Sequence, residues 1–191
     1  MSSGIILTQF AGPCEPSAAI ALGAPGAHAL CYGPAGTAGE SALVQYFEQK
    51  VEAIDLAALP VESNNRPITR FCARLQSDTG PVTERAPILM MVAFDVPSEM
   101  ALEVERWYAE EHIPMLMRAP GWLRARRFEA IRSVGPRRYT SIALHDLRDL
   151  AVLDSNERTL ARSTAWRARL EKTAWFQQAG RFVYKRTATM P

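Results

Sequence analysis

The chain has 191 residues and only three histidines, His28, His112 and His145. Histidine is the one side chain that changes charge near neutral pH without special help. Val104, Tyr108, His112 and Met115 follow one another at spacings of four, four and three, which places them on one stripe of a helix. That stripe is otherwise apolar, so His112 is expected to point inward, where a neutral imidazole serves as a general base. Tyr108, one turn earlier, can donate a hydrogen bond to a developing enolate or phenolate. Glu111 adjoins His112 and can hold or charge its ring. The competing reading is a histidine that caps a helix C-terminus or sits hydrogen-bonded in a core.

Three arginines follow. On a strand, period two sends Arg124 and Arg126 to one face with Phe128, and Arg127 to the other. Arg126 is taken as the one that binds a carboxylate or enolate oxygen. The alternative is a solvated strand end or an ion pair with Glu110 or Glu111. Tyr139 is expected to share a strand face with His145 and to contact ligand. His145, near the strand end and before Asp146, reads as a surface histidine. Trp107 and Trp122, among Met90, Met91, Met115 and Met117, offer a soft apolar lining for a ligand, although ordinary core packing uses the same residues. His28 has no visible partner and reads as structural.

These residues need elements to hold them. In the second half Ile88–Phe94 reads as a buried strand. Ser98 is a plausible N-cap for a helix from Glu99, which Pro114 should bend or end. Ala119–Gly121 is a turn. Trp122–Ile131 and Arg138–Leu144 form a hairpin through Gly135 and Pro136. Leu147–Leu153 is a short helix, Ser155 caps a longer one over Asn156–Lys172, and Arg181–Arg186 is a last strand. This order is the split βαβ, or ferredoxin-like, plan. The first half repeats it imperfectly. Gly4–Phe10 and Ile68–Leu75 read as strands, Ala18–Leu22 and Ala27–Tyr32 as a small hairpin. Glu40–Leu59 reads as an amphipathic helix with Leu43, Phe47, Val51 and Ile54 on one face. Only Ala11–Ser17 are left for the first helix of the plan, so this copy is expected to lack it. The division is then 1–76 as a degenerate ferredoxin-like half, 77–86 as a linker, and 87–191 as the fuller half. The fold class is α+β, with two sheets face to face forming a barrel around a cavity.

Composition narrows the function. Hydrophobic residues are 48% and charged residues 22%, as in ordinary globular proteins. Net charge is +2. The basic stretch Arg158, Arg162, Arg167, Arg169 and Lys172 reads as a solvated helix face, and the strands lack the stacking aromatics of an RNA-binding sheet. No nucleic-acid partner is therefore expected. Cys14, Cys31 and Cys72 are an odd set without metal-site spacing, and they read as buried thiols in a cytoplasmic protein. The apolar N-terminus lacks the basic region of a signal peptide. No apolar run suits a membrane span. Phosphate-binding loops and HExxH are absent.

Two stretches carry a resemblance. Trp107-Tyr108-Ala109-Glu110-Glu111-His112-Ile113-Pro114, followed by Ala119-Pro120-Gly121-Trp122-Leu123-Arg124-Ala125-Arg126-Arg127-Phe128, resembles the signature of the EthD-like group of dimeric α+β barrel proteins. Tyr139 with Ala143-Leu144, and Phe182-Val183-Tyr184, resemble its later strands. The match covers about 87–186. It implies an α+β barrel and a homodimer, with activities ranging over cyclases, decarboxylases, dehydratases, isomerases, cofactor-free monooxygenases and haem enzymes. The expectation is a cofactor-independent acid/base enzyme of lyase, cyclase or isomerase type. It would act on a small apolar, aromatic or polyketide-like carbonyl compound. His112 and Tyr108 are its catalytic residues, and Arg126, Trp107, Glu111, Tyr139 and Trp122 contact the substrate. No cofactor and no metal are expected. A non-catalytic binding protein with the same cavity, and a haem protein with His112 as axial ligand, are the alternatives.

Overall fold

The computed structural model describes residues 4–12, 28–36, 39–47, 51, 54–57, 59, 67–82 and 86–190. Its eight strands are β1 (Gly4–Phe10), β2 (His28–Pro34), β3 (Ser41–Phe47), β4 (Pro67–Asp78), β5 (Ile88–Phe94), β6 (Trp122–Val134), β7 (Ser141–Leu147) and β8 (Gly180–Met190). They close an antiparallel barrel in the order β1-β3-β2-β8-β5-β7-β6-β4. The order contains β4-β1-β3-β2 and β8-β5-β7-β6, two copies of one arrangement. Both halves therefore follow the split βαβ strand order, and one chain closes the barrel.

Contacts divide the chain into two compact units. The first comprises Met1–Ser77, Phe128–Arg138 and Val183–Pro191, and the second Asp78–Arg127 and Tyr139–Phe182.

In the first unit the expected helix over Glu40–Leu59 is overturned: Ser41–Phe47 is strand β3. Leu43 and Phe47 are spaced for a helix, but every side chain from Ser41 to Phe47 is buried. A strand covered on both faces has no polar side to alternate, so periodicity alone cannot separate it from a helix. Pairing decides. β3 is central, with Ile6 opposite Gln45 on β1 and Leu30 opposite Val44 on β2. Ile6, Phe47, Val51, Leu56 and Cys72 form the core of this unit, and the Cys72 thiol donates to the Val51 carbonyl at 3.1 Å. Cys31 and Cys72 are buried. The expected strand Ala18–Leu22, the missing first helix and Cys14 lie outside the described residues, as does the side chain of His28. At the β6 turn, Gly135 has φ +125°, and a Cβ there would strike the Thr69 backbone at 2.8 Å, so only glycine fits.

Among the described residues, the α-helices lie in the second unit. A 3₁₀ turn over Ser98–Met100 leads into α1 (Ala101–Trp107), a π-helical turn (Tyr108–His112) and α2 (Ile113–Leu116). Ser98 does not cap this helix; its hydroxyl meets Glu99 at 3.4 Å, and the Pro97 carbonyl accepts from Met100 at 2.9 Å instead. β7 starts three residues later than expected, because Thr140 bonds back to Phe94 and Val96. The short helix expected at Leu147 is a 3₁₀ turn over Leu150–Asp154, capped by Asp149. The long helix expected over Asn156–Lys172 is broken into α3 (Asn156–Arg162) and α4 (Ala165–Leu170). Ser155 caps α3 as expected, and Thr164 caps α4 by accepting from the Arg167 amide. Two Ser/Thr caps nine residues apart outcompete continuous helix. The last turn is α5 (Ala174–Gln177). Among the described residues no helix is long and apolar enough to cross a membrane.

Candidate active site

Proline 114 explains the shape of the helix that carries His112. Proline brings no N–H and its ring crowds the carbonyl four residues earlier. The helix widens just before it: the Tyr108 carbonyl accepts from the Ile113 amide, five residues on. Pro114 thus neither ends nor merely bends the helix; α2 continues to Leu116. Such single wide turns are frequent at functional sites, because they re-aim the side chains they carry.

Here they aim His112 at α3 and at Trp107. The His112 ring stacks on the Trp107 indole, centroids 4.4 Å apart and planes 25° apart. Its Nδ1 lies 3.2 Å from the Ala161 carbonyl. A carbonyl can only accept, so Nδ1 carries the proton and Nε2 keeps its lone pair. Burial holds the imidazolium down to about 4, with Arg167, Arg127 and Arg162 adding to the lowering and the Ala161 bond opposing it. At neutral pH His112 is therefore a neutral ring with a bare Nε2.

The arginine beside it is Arg127. Arg127 sits on the helix-facing side of β6, 1% exposed. Its guanidinium stacks 3.5 Å over the Tyr108 ring. Nη2 donates to Glu105 and, at 2.7 Å, to Ser141 Oγ. Arg127 Nε and Nη1 and the Trp107 Nε1 are buried donors without a partner. Unpartnered buried donors are rare and costly, and each asks for an acceptor. Trp107, which carries one of them, stacks on His112, and Arg127, which carries the other two, stacks on Tyr108. Tyr108, itself 2% exposed, has its phenol kept protonated by burial.

The other expected site residues are placed differently. Arg126 lies on the opposite face of β6, where it pairs with Asp146 at 2.7 Å, both side chains 6% exposed. Glu111 does not hold the imidazole; it accepts from Thr164 Oγ1 at 2.6 Å. It lines an outer groove of about 800 Å³ with Glu103, Arg106, Trp166 and Arg169. Glu103 ties that groove to Trp166 at 3.1 Å and to Arg169, and His112 is not part of it. Tyr139 precedes β7 and packs over Gly180, so it does not share a strand face with His145. Trp122 is buried and its indole donates to His145 Nδ1 at 3.1 Å.

Two corrections concern residues read as surface. His145 is 1% exposed, not solvated. It lies two residues from Ala143 on β7, on the side that packs with Trp107 and Tyr108. Burial pushes its pKa down to about 3, with His112, Arg127 and Arg126 adding. Arg167, expected on a solvated face, is buried and holds Glu171 at 2.7 Å and the Arg162 carbonyl at 2.8 Å. Arg127 was visible in sequence only as the odd member of the strand's alternation. The tautomers and the orphan donors have no sequence signal. Among the described residues no cluster of three or more His, Cys, Asp or Glu could hold a metal ion.

Solved structures show where this architecture recurs. An anthrone oxidase-like protein aligns over 99% of this chain and 94% of its own, with 9% identity and TM-score 0.64. A ferredoxin-fold protein related to antibiotic biosynthesis monooxygenases, from Listeria monocytogenes 4b F2365, aligns over 97% and 96%, with 7% identity and TM-score 0.55. The fold is the ferredoxin-like α+β barrel. A heme-degrading enzyme from Listeria monocytogenes also has this fold, aligning over 95% and 98% with 8% identity and TM-score 0.56. At such identities the likeness is one of fold. No protein-family model matches the sequence, and no curated protein matches it.

Proposed function

We propose that the second unit of this ferredoxin-like barrel binds a small, largely apolar aromatic carbonyl compound and removes a proton from a carbon that the carbonyl acidifies, either directly or through a conjugated ring. His112 Nε2 takes that proton, and the C–H electron pair moves onto the carbonyl oxygen as an enolate. Arg127, through its unpartnered Nε and Nη1, and the Trp107 indole would meet that oxyanion. Tyr108 holds the Arg127 guanidinium in place by stacking. A developing negative charge beside Arg127 would also raise the basicity of His112 during the step, because the imidazolium it forms would lie near an anion. Return of the proton to another carbon, loss of a leaving group or ring closure would each follow from the same enolate. The reaction is thus of lyase, cyclase or isomerase type, on an EthD-like scaffold suggested by the Trp107–Pro114 and Ala119–Phe128 stretches.

The observation that carries this reading is the bare Nε2 of His112, fixed by the Nδ1 bond to Ala161, beside orphan donors of Trp107 and Arg127. Anthrone, whose C–H bonds across the central ring are acidified through that ring by its carbonyl, is a suitable probe, and the name of one structural neighbour points to it. In deuterated buffer without oxygen, the wild-type protein is expected to accelerate deuterium entry at the acidic carbon. His112→Ala is expected to lose on the order of 10²–10⁴-fold of that rate, the usual contribution of a general base. Binding of anthrone without any exchange would point to a non-catalytic binding protein. His112 is the residue that would hold haem, which would supply redox chemistry when bound; a Soret band on haem titration, lost in His112→Ala, would favour that second reading. A homodimer, implied by the resemblance, would add to a barrel that one chain already closes.

A further inference from the structure

His145 is a buried titratable group that this reaction leaves unused. Its tautomer is readable from its partner. The Trp122 indole can only donate, so His145 Nδ1 accepts and the neutral ring carries its proton on Nε2. His112 is fixed the opposite way, since its Nδ1 donates to Ala161. The second unit therefore holds two neutral imidazoles, one presenting a lone pair and one presenting an N–H. Ala143, two residues from His145, belongs to the same packed layer as Trp107, and Trp107 stacks on His112. Ser141, two residues further along the same face, holds Arg127.

We infer that His145 is a second catalytic residue of this site, whose Nε2–H hydrogen-bonds the substrate carbonyl oxygen while His112 Nε2 takes the proton from the carbon that this carbonyl acidifies. The inference rests on the proton-abstraction reading above and adds the electrophile to it. His145 gives up no proton: it donates a hydrogen bond that strengthens as charge collects on the oxygen, and the transferred proton stays on His112. The charged and titratable groups that bear on His145 are His112, Arg127 and Arg126. All are cationic or neutral, so they disfavour an imidazolium and keep the ring a neutral donor. A substrate with a single carbonyl that acidifies one C–H position suits this pair, because one ring binds the oxygen and the other the carbon-bound proton.

The test uses the full chain and anthrone under the exchange conditions above. His145→Phe is expected to lower the exchange rate on the order of 10²-fold, as for loss of one donor to a developing oxyanion. His145→Gln, which keeps an N–H, is expected to lose less. In the unaltered protein, nitrogen-15 NMR should show His145 protonated on Nε2 and His112 on Nδ1 at pH 7, with the His145 Nε2–H signal moving when anthrone saturates the site. Wild-type exchange that depends on His112 but is unchanged in His145→Phe would overturn this inference alone, as would a His145 proton on Nδ1 or an unmoved signal in the anthrone complex. Absence of any accelerated exchange by the wild type would overturn the proton-abstraction reading and this inference with it.

Discussion

Arg127→Met is expected to separate stability from activity: the folded protein should be about as stable as the wild type, while anthrone exchange falls on the order of 10²–10³-fold. The reason lies in the cost of Arg127 where it sits. Its guanidinium is buried, and burial lowers its pKa. One of its nitrogens is paired to Glu105 and Ser141, but Nε and Nη1 have no acceptor. A buried charge with two of its three nitrogens unsatisfied contributes little net stability, and apolar residues of similar volume often replace such groups at no loss. Methionine keeps much of the stem that packs on Tyr108. Glu105, its ion-pair partner, is 42% exposed and can return to water when the arginine is gone. A purely structural arginine would behave in reverse. Its removal would lower the urea midpoint and leave exchange by the surviving folded protein unchanged.

Acid should unfold the protein earlier than its carboxylates require. His112 and His145 are held down to about 4 and about 3, whereas in the unfolded chain each titrates near 6.5. Between those values the unfolded state binds more protons than the folded one, so stability rises with pH in that window. The contribution is fully present above about pH 6.5 and is lost as pH falls toward the folded values. Each pKa unit corresponds to about 1.4 kcal/mol, so the pair is worth several kcal/mol, a large share of the ~5–15 kcal/mol that holds a domain together. Unfolded carboxylates titrate near 4, which leaves the interval from about pH 6.5 to 4.5 to the histidines. Urea midpoints should therefore fall steadily across it. In His145→Phe the midpoint at pH 7.5 should be lower, since the Trp122 N–H loses its acceptor, and the slope with pH shallower. A wild-type midpoint that stays level to pH 4.5 would contradict the burial of both rings as neutral species.

The barrel was legible because strand order is a pattern of whole elements. Ile88–Phe94, Trp122 onward and the last strand are apolar or alternating runs bounded by Pro and Gly, and their order alone names the plan. Ser41–Phe47 was not legible, because a strand buried on both faces shows no alternation and its Leu43–Phe47 spacing also suits a helix. Ser163-Thr164 was missed for a different reason: Thr164 is a capping residue in a stretch otherwise favourable to helix, and only tertiary packing selects the break. His112 and Tyr108 stand on one helical stripe in the sequence, with Trp107 read apart from it as lining, and the structure brings the three rings into contact. Arg126 and Arg127 are neighbours whose alternation was readable, but which face meets the helices is a property of the sheet's packing. His145 looked exposed because it precedes Asp146 near a strand end. Yet Asp146 is turned to the other face, paired with Arg126, and His145 is sealed by Trp122. Glu111 adjoined His112 in sequence, but on a helix adjacent residues point about 100° apart, and Thr164 takes its carboxylate.

Loss of exchange in His112→Ala shows that the residue matters, whereas the pH dependence shows how. The most direct measurement is the pH profile of wild-type anthrone exchange, taken at low anthrone so that it reports groups of the free protein. If His112 is the base, held neutral by burial, the rate should stay level from neutral pH downward and decline only as pH approaches about 4, with that decline absent from the residual rate of His112→Ala. A decline centred near 6.5, or a profile identical in wild type and His112→Ala, would contradict the account.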